Sequence, residues 1–232
     1  MRIPYEWNHF RYIDFHGNKD YAIGFVSLSS FNEEFIWEEL NISPRTNTVL
    51  EIVDKMVEKS GNYKFLLDKI DPLAKGQKSN TKKEDGTVRT TVDDINGYLA
   101  EFKRQGVCEG GYFTTANTKG TRGREKIRQR LRNSLIVKTP FNNEASNYLG
   151  NEDVINIERE KYLPTLWVLA PCKQVRLSLK NWRMEKGEPS QQYSDHCTGL
   201  EFLHKDARFR PPVLMQERLV EREKVLYFQG RR

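Results

Sequence analysis

The alternation of apolar and polar positions divides the chain into short strands and amphipathic helices. His9–Phe15, Tyr21–Leu28 and a segment centred on Phe35-Ile36-Trp37 read as strands, with Gly17-Asn18-Lys19-Asp20 as a turn signal. Connections this short predict an antiparallel meander. Val49, Leu50, Val53, Met56 and Val57 then recur at helical spacing, with Thr46 or Asn47 placed to cap the helix and Gly61 to end it. Tyr63–Ile70 is the next strand. A strand, a helix and a further strand make a crossover unit, which favours an α/β layered domain.

The second half is less regular. Residues 75–91 are rich in Lys, Ser, Thr, Asn and Gly and nearly free of apolar groups, which predicts a loop. Thr91 is expected to cap a helix through Ile95, Leu99 and Phe102 that stops at Gly106. Residues 109–123 read as a Gly- and Thr-rich loop, Gly123–Leu135 as a basic helix, and residues 142–156 as polar and irregular. Thr165–Leu169 reads as a buried strand, and Pro171 suits the first turn of a helix through Val175, Leu177 and Leu179. Asn181–Met184 is expected to be a short strand and residues 186–192 a loop. Ser194–Leu203 is helix-like. From Arg208 a surface tail is expected, so the division is a domain over residues 1–207 and a tail over 208–232. The closing Leu226-Tyr227-Phe228-Gln229-Gly230 resembles part of a protease-cleavable tag.

Composition narrows the setting. A chain of 232 residues suits one large domain, with or without an appendage. Its net charge of +6 favours an anionic partner, but 38 basic residues against 32 acidic ones make a mixed surface rather than a polycationic tail. Three cysteines, Cys108, Cys172 and Cys197, form no close pair, and an odd count is a poor disulfide framework; the expected setting is reduced and intracellular. No apolar run approaches the roughly 20 residues of a membrane span, and the first residues lack the apolar core of a signal peptide.

The candidate chemistry lies in three aspartates at the ends of elements. Asp14 closes the first strand, Asp71 closes Tyr63–Ile70, and Asp195 opens the last helix. Each has an ordinary explanation alone: Gly17 follows Asp14 closely, Asp71-Pro72 is a common turn starter, and an acid suits a helix N-terminus. If the three converge, they suit hard divalent cations, which prefer oxygen ligands. Two such ions clamp the attacking and leaving oxygens of a phosphodiester. Asp68 competes with Asp71, but residues three apart on a strand point to opposite faces. His16 shares the face of Asp14. His196, beside the helix start, is an accessory candidate. Lys119, Arg122, Arg124, Lys126, Arg128, Arg130 and Arg132 form a basic stretch opposed only by Glu125, read either as a solvated helix or as a surface for phosphate backbones.

The order Tyr12-Ile13-Asp14-Phe15-His16-Gly17, then Ile70-Asp71-Pro72-Leu73-Ala74, then Ser194-Asp195-His196 in an apolar helix resembles the nuclease domain of viral large terminases. Leu166–Cys172, leading to Lys180-Asn181-Trp182-Arg183, is similar to the elements before that family's last acidic motif. The resemblance covers roughly residues 8–205. It implies an RNase H-like fold, a mixed central sheet with helices on both faces. It also implies metal-ligand roles for Asp14, Asp71 and Asp195, two Mg²⁺ or Mn²⁺ ions, and endonucleolytic cleavage of double-stranded DNA during genome packaging in the host cytoplasm. The implied partners are an ATPase motor domain, small terminase and portal proteins. One position departs from the pattern: Gly199 stands where many members carry another acid. The phosphate loop of the motor half is not found, because Thr118-Lys119-Gly120-Thr121-Arg122-Gly123 has the wrong spacing. The chain thus resembles an isolated nuclease domain and is not expected to hydrolyse ATP. The alternatives are another RNase H-like enzyme (resolvase, transposase or RNase H) and a non-catalytic nucleic-acid-binding module.

Overall fold

The computed structural model describes residues 3–17, 19–82, 86–134, 165–182, 184–185, 188–189 and 194–212. The first three strands, β1 (Asn8–Asp14), β2 (Tyr21–Leu28) and β3 (Glu34–Ile42), form the expected meander. Helix α1 (Val49–Ser60) leads to β4 (Phe65–Ile70). Then follow α2 (Leu73–Gly76), β5 (Lys78–Lys82), β6 (Val88–Thr90), α3 (Thr91–Arg104), β7 (Phe113–Thr115) and α4 (Arg122–Ser134). The last elements are β8 (Leu166–Val168), α5 (Lys173–Asn181), β9 (Met184–Glu185), β10 (Glu188–Pro189) and α6 (Asp195–Lys205).

The central sheet has the order β7-β4-β1-β2-β3-β8. β2 is antiparallel to both its neighbours, whereas β4 on β1, β7 on β4 and β8 on β3 pair in parallel. β2 therefore runs against the other strands, and the ends of β1 and β4 lie side by side at one end of the sheet. Strand alternation sends β1 into two cores. Ile13 packs with Ile23, Phe25 and Ile70 against Ile52 and Met56 of α1 and Ile95 and Leu99 of α3. Phe10 and Tyr12 pack with Val26 and Ile36 against Ile127 of α4, Val175 of α5, and Leu200 and Leu203 of α6. Helices thus cover both faces, as expected of a mixed α/β sheet, and the central strands are buried on both sides.

β1 also carries a buried arginine, Arg11. It is buried on the α1 and α3 face, where its Nε and Nη2 meet the Asp68 carboxylate at 2.7 and 2.9 Å. Its Nη1 donates to Ser60 Oγ, and the guanidinium lies over the Phe65 ring. The fork satisfies both carboxylate oxygens. Asp68 therefore acts in the core between strands β1 and β4, facing away from the helix α6.

Several sequence expectations shift. The caps are Thr48 and Thr90, each in a reciprocal capping box with the acid three residues on, Glu51 and Asp93. The segment read as a loop over 75–91 holds the antiparallel pair β5–β6, and the loop read over 109–123 holds β7. The β5–β6 ribbon carries no apolar alternation, and β7 is too short to show one although its Phe113 is buried in the core. Asn181 belongs to α5 rather than to a strand, which begins at Met184. Phe209 is buried against Phe10 and His204, so packing continues past the expected start of the tail at Arg208. The irregular segment expected over 142–156 lies outside the described residues, as does the tail from residue 213.

Candidate metal centre

The end of β1 and the first turn of α6 meet above the sheet. His16 Nε2 stands 3.3 Å from Asp14 Oδ2 and 3.2 Å from Asp195 Oδ1. Ligand atoms of Asp14, His16 and Asp195 all lie within 4.8 Å of one another. Asp14 is buried, at 2% exposure, because it follows Tyr12 on the face covered by α6. Burial pushes its carboxyl up to about 6, against the pull of His16, and the charges of Asp195 and Asp71 push the same way. The Asp14 carboxylate, then that of Asp195, draws the His16 imidazole up to about 10. Burial also acts to raise Asp195, but His16 outweighs it and holds this carboxyl below its ordinary range. A protonated imidazole between two carboxylates marks a place where positive charge is favoured. The donor set, two carboxylates and an imidazole, fits a divalent cation.

Asp71 is positioned differently. Its backbone N–H donates to Ile13 O at 3.0 Å, which holds the end of β4 against the end of β1. Its Oδ1 accepts from Leu73 N–H at 2.6 Å, an Asx turn into α2. Burial raises its carboxyl as well. It faces the same end of the sheet, close enough to act on Asp14 and His16, but is not in the three-residue cluster.

Tyr12 and His196 lie directly behind the cluster. A Cβ built on Gly199 of α6 would fall within the Tyr12 ring, and so would one built on Gly24 of β2. The ring is clamped between strand and helix, and no acid fits at 199 unless it moves. The Tyr12 hydroxyl is 2.9 Å from His196 Nδ1, and His196 Nε2 is 3.1 Å from Asn41 Oδ1. His196 is buried at 2% exposure, and burial lowers its pKa to about 4. Asn41 and Tyr12 were missed as site neighbours. Two glycines marked the Tyr12 clamp in the sequence, but nothing marked Asn41.

The basic stretch divides in two. Arg124 pairs with Glu201 at 2.9 Å, and Arg130 pairs with buried Glu34 at 3.1 Å while donating to Asn32 O and Thr165 O. Lys126 donates to His204 O. These three hold α4 against α6 and β3. Gly123 permits the approach, since a Cβ there would stand 2.6 Å from Glu201 O. Lys119, Arg122, Arg128 and Arg132 are exposed; Arg128 faces Glu125 at 3.1 Å. Glu201 is six residues beyond Asp195, about 9 Å along α6, so the stretch leads away from the Asp14, His16 and Asp195 cluster.

No family model and no curated protein matches the chain. Among solved structures it is similar to the large terminase of the thermophilic bacteriophage D6E in complex with ADP, with a TM-score of 0.53 and 12% identity over 90% of this chain. That match spans 42% of the D6E chain, so this chain corresponds to less than half of the larger protein. It is also similar to the P22 large terminase nuclease domain, with a TM-score of 0.50 and 10% identity, over 90% of this chain and 86% of that one. The mixed sheet with its flanking helices is therefore a fold similar to that of a large-terminase nuclease domain.

Proposed function

We propose that this chain is a divalent-metal-dependent endonuclease of the RNase H-like type, cleaving double-stranded DNA during viral genome packaging. The observation that carries this reading is the buried Asp14 carboxylate meeting Asp195 and His16 at the strand end of a terminase-like fold. Asp14 and Asp195 would hold Mg²⁺ or Mn²⁺, with His16 as the third donor, and Asp71 would help hold a second ion at the rim. Bound there, the ions would supply an acidified water and charge stabilisation at a phosphodiester. Asp14 stands on a paired strand and Asp195 at the start of a helix, so rigid elements carry both carboxylates. Lys119, Arg122, Arg128 and Arg132 would contact phosphates and position the duplex without reading its sequence.

By this reading the chain works inside the host cell with an ATPase motor domain, small terminase and portal proteins. Among the described residues no helix is long and apolar enough to cross a membrane. Plasmid cleavage with Mn²⁺, Mg²⁺, Ca²⁺ or EDTA tests the reading. Cleavage is expected with Mn²⁺ or Mg²⁺ and is expected to vanish in EDTA and in Asp14→Asn. Full activity in Asp14→Asn would sink the assignment. A second reading, a non-catalytic nucleic-acid-binding module, draws on the Tyr12 ring occupying the space beside Gly199. A module of that kind would bind DNA but give no carboxylate-dependent heat with Mn²⁺.

A further inference from the structure

We propose that His196 is a positioning residue that fixes the Asp195 carboxylate through hydrogen bonds to Tyr12 and Asn41. The inference rests on the metal-centre reading and extends it to the groups that set the geometry of that centre.

The registers of β1, β2 and β3 place the relevant residues in two adjacent rows. Asp14 lies opposite Ala22, and Ala22 opposite Asn41; Tyr12 lies opposite Gly24. Ala22 and Gly24 carry the two smallest side chains on that face of β2. The Tyr12 ring fills the space over Gly24, locked from above by Gly199. His196 hydrogen-bonds to Tyr12 in one row and Asn41 in the other, and so ties the first turn of α6 to two strands.

The bonding pattern matches one tautomer of His196. Asn41 Oδ1 is an acceptor, so His196 Nε2 carries the proton and donates it. Nδ1 must then accept, and the Tyr12 hydroxyl donates to it. His196 therefore supplies lateral anchorage one residue from Asp195. Its ring lies beneath the helix, whereas the Asp195 carboxylate faces Asp14 and His16. Groups that orient a metal ligand typically change affinity about 10- to 100-fold when removed.

The test is calorimetric titration of Mn²⁺ into the 232-residue chain, with melting temperatures measured in EDTA. His196→Ala is expected to weaken Mn²⁺ binding by about 10-fold or more. His196→Gln, which can both accept from Tyr12 and donate to Asn41, is expected to recover affinity to within about 3-fold of wild type. Tyr12→Phe keeps the clamped ring, removes one donor and is expected to bind more weakly than wild type; it serves if His196→Ala does not fold. Val175→Ala, in the same core but on α5 and outside the hydrogen-bonded set, controls for lost stability and should lower the melting temperature with unchanged affinity. Wild-type affinity in folded His196→Ala, or in Tyr12→Phe, would overturn the inference. So would a loss in Val175→Ala equal to that in His196→Ala. Absence of Mn²⁺ binding by the wild type would instead remove the metal-centre reading, and this inference with it.

Discussion

Gly199→Ala separates two physical expectations of opposite sign. At an exposed helix interior position this substitution stabilises by about 1 kcal/mol, because glycine loses more backbone freedom on folding. At Gly199 the added methyl would occupy the volume of the Tyr12 ring. The ring cannot retreat, since the α carbon of Gly24 lies close behind it and even a Cβ there would overlap it. Helix α6 must therefore lift from the sheet or Tyr12 must leave its rotamer. Overpacking of this kind costs about 1–3 kcal/mol, and a clamped aromatic ring belongs at the upper end. Less the gain in helix propensity, the expected net loss is about 2 kcal/mol. For a domain of this size that lowers the melting temperature by about 4–8 °C. Lifting the helix also draws Asp195 from Asp14, so stabilisation by Mn²⁺ should shrink. Urea titration and thermal melts, each with and without Mn²⁺, read both effects. A Gly199→Ala protein as stable as wild type or more so would refute the account of how α6 is seated. Gly199→Asp should likewise fail to strengthen metal binding, because its carboxylate would enter the Tyr12 clamp rather than the site.

Other substitutions test the remaining assignments. Asp68→Asn leaves the Arg11 guanidinium buried without its counter-charge and is expected to cost about 3–5 kcal/mol, with Mn²⁺ affinity of the folded fraction retained; lost affinity at unchanged stability would make Asp68 a ligand. His9 is buried with its pKa lowered to about 4 from 6.5, mainly by desolvation, so between those values the unfolded chain binds more protons than the folded one. Its contribution to stability is present above about 6.5 and falls as pH drops towards 4, by up to about 1.4 kcal/mol per pH unit. Asp14 acts with the opposite sign over part of that range, so the comparison is wild type against His9→Gln across pH 4 to 6.5, and equal slopes would contradict it. Arg128→Ala and Arg132→Ala should weaken DNA binding and lower the salt slope by about 0.9 for each phosphate no longer neutralised. Arg124→Ala and Arg130→Ala should chiefly lower the melting temperature, and the reverse pattern would relocate the DNA-binding face.

The elements that read correctly from the sequence share one property: their pattern records which face is buried. Phe10, Tyr12 and Ile13 on β1, and Val53, Met56 and Val57 on α1, show the expected strand and helix. The polar ribbon β5–β6 and the three-residue β7 have no such pattern, because strand pairing uses backbone groups that every residue carries. The capping residues were misplaced by one or two positions for a related reason. Thr46, Asn47 and Thr48 all carry suitable oxygens, and only the reciprocal bond with Glu51 selects Thr48.

The site divides along the same line. The ends of β1 and β4 and the start of α6 were legible in the sequence, along with the acid standing at each. Sequence distance says nothing about meeting, and tertiary structure alone brings Asp195 to His16 and Asp14 across about 180 residues of chain while leaving Asp71 at the rim. It also divides the basic stretch: Arg124 and Arg130 hold α4 in place, whereas Arg128 and Arg132 face outward. A linear sequence specifies the charge of a residue and, through periodicity, its face. Which partner that face meets depends on packing between elements far apart in the chain, as where the Tyr12 ring fits only because residues 24 and 199 are both glycine.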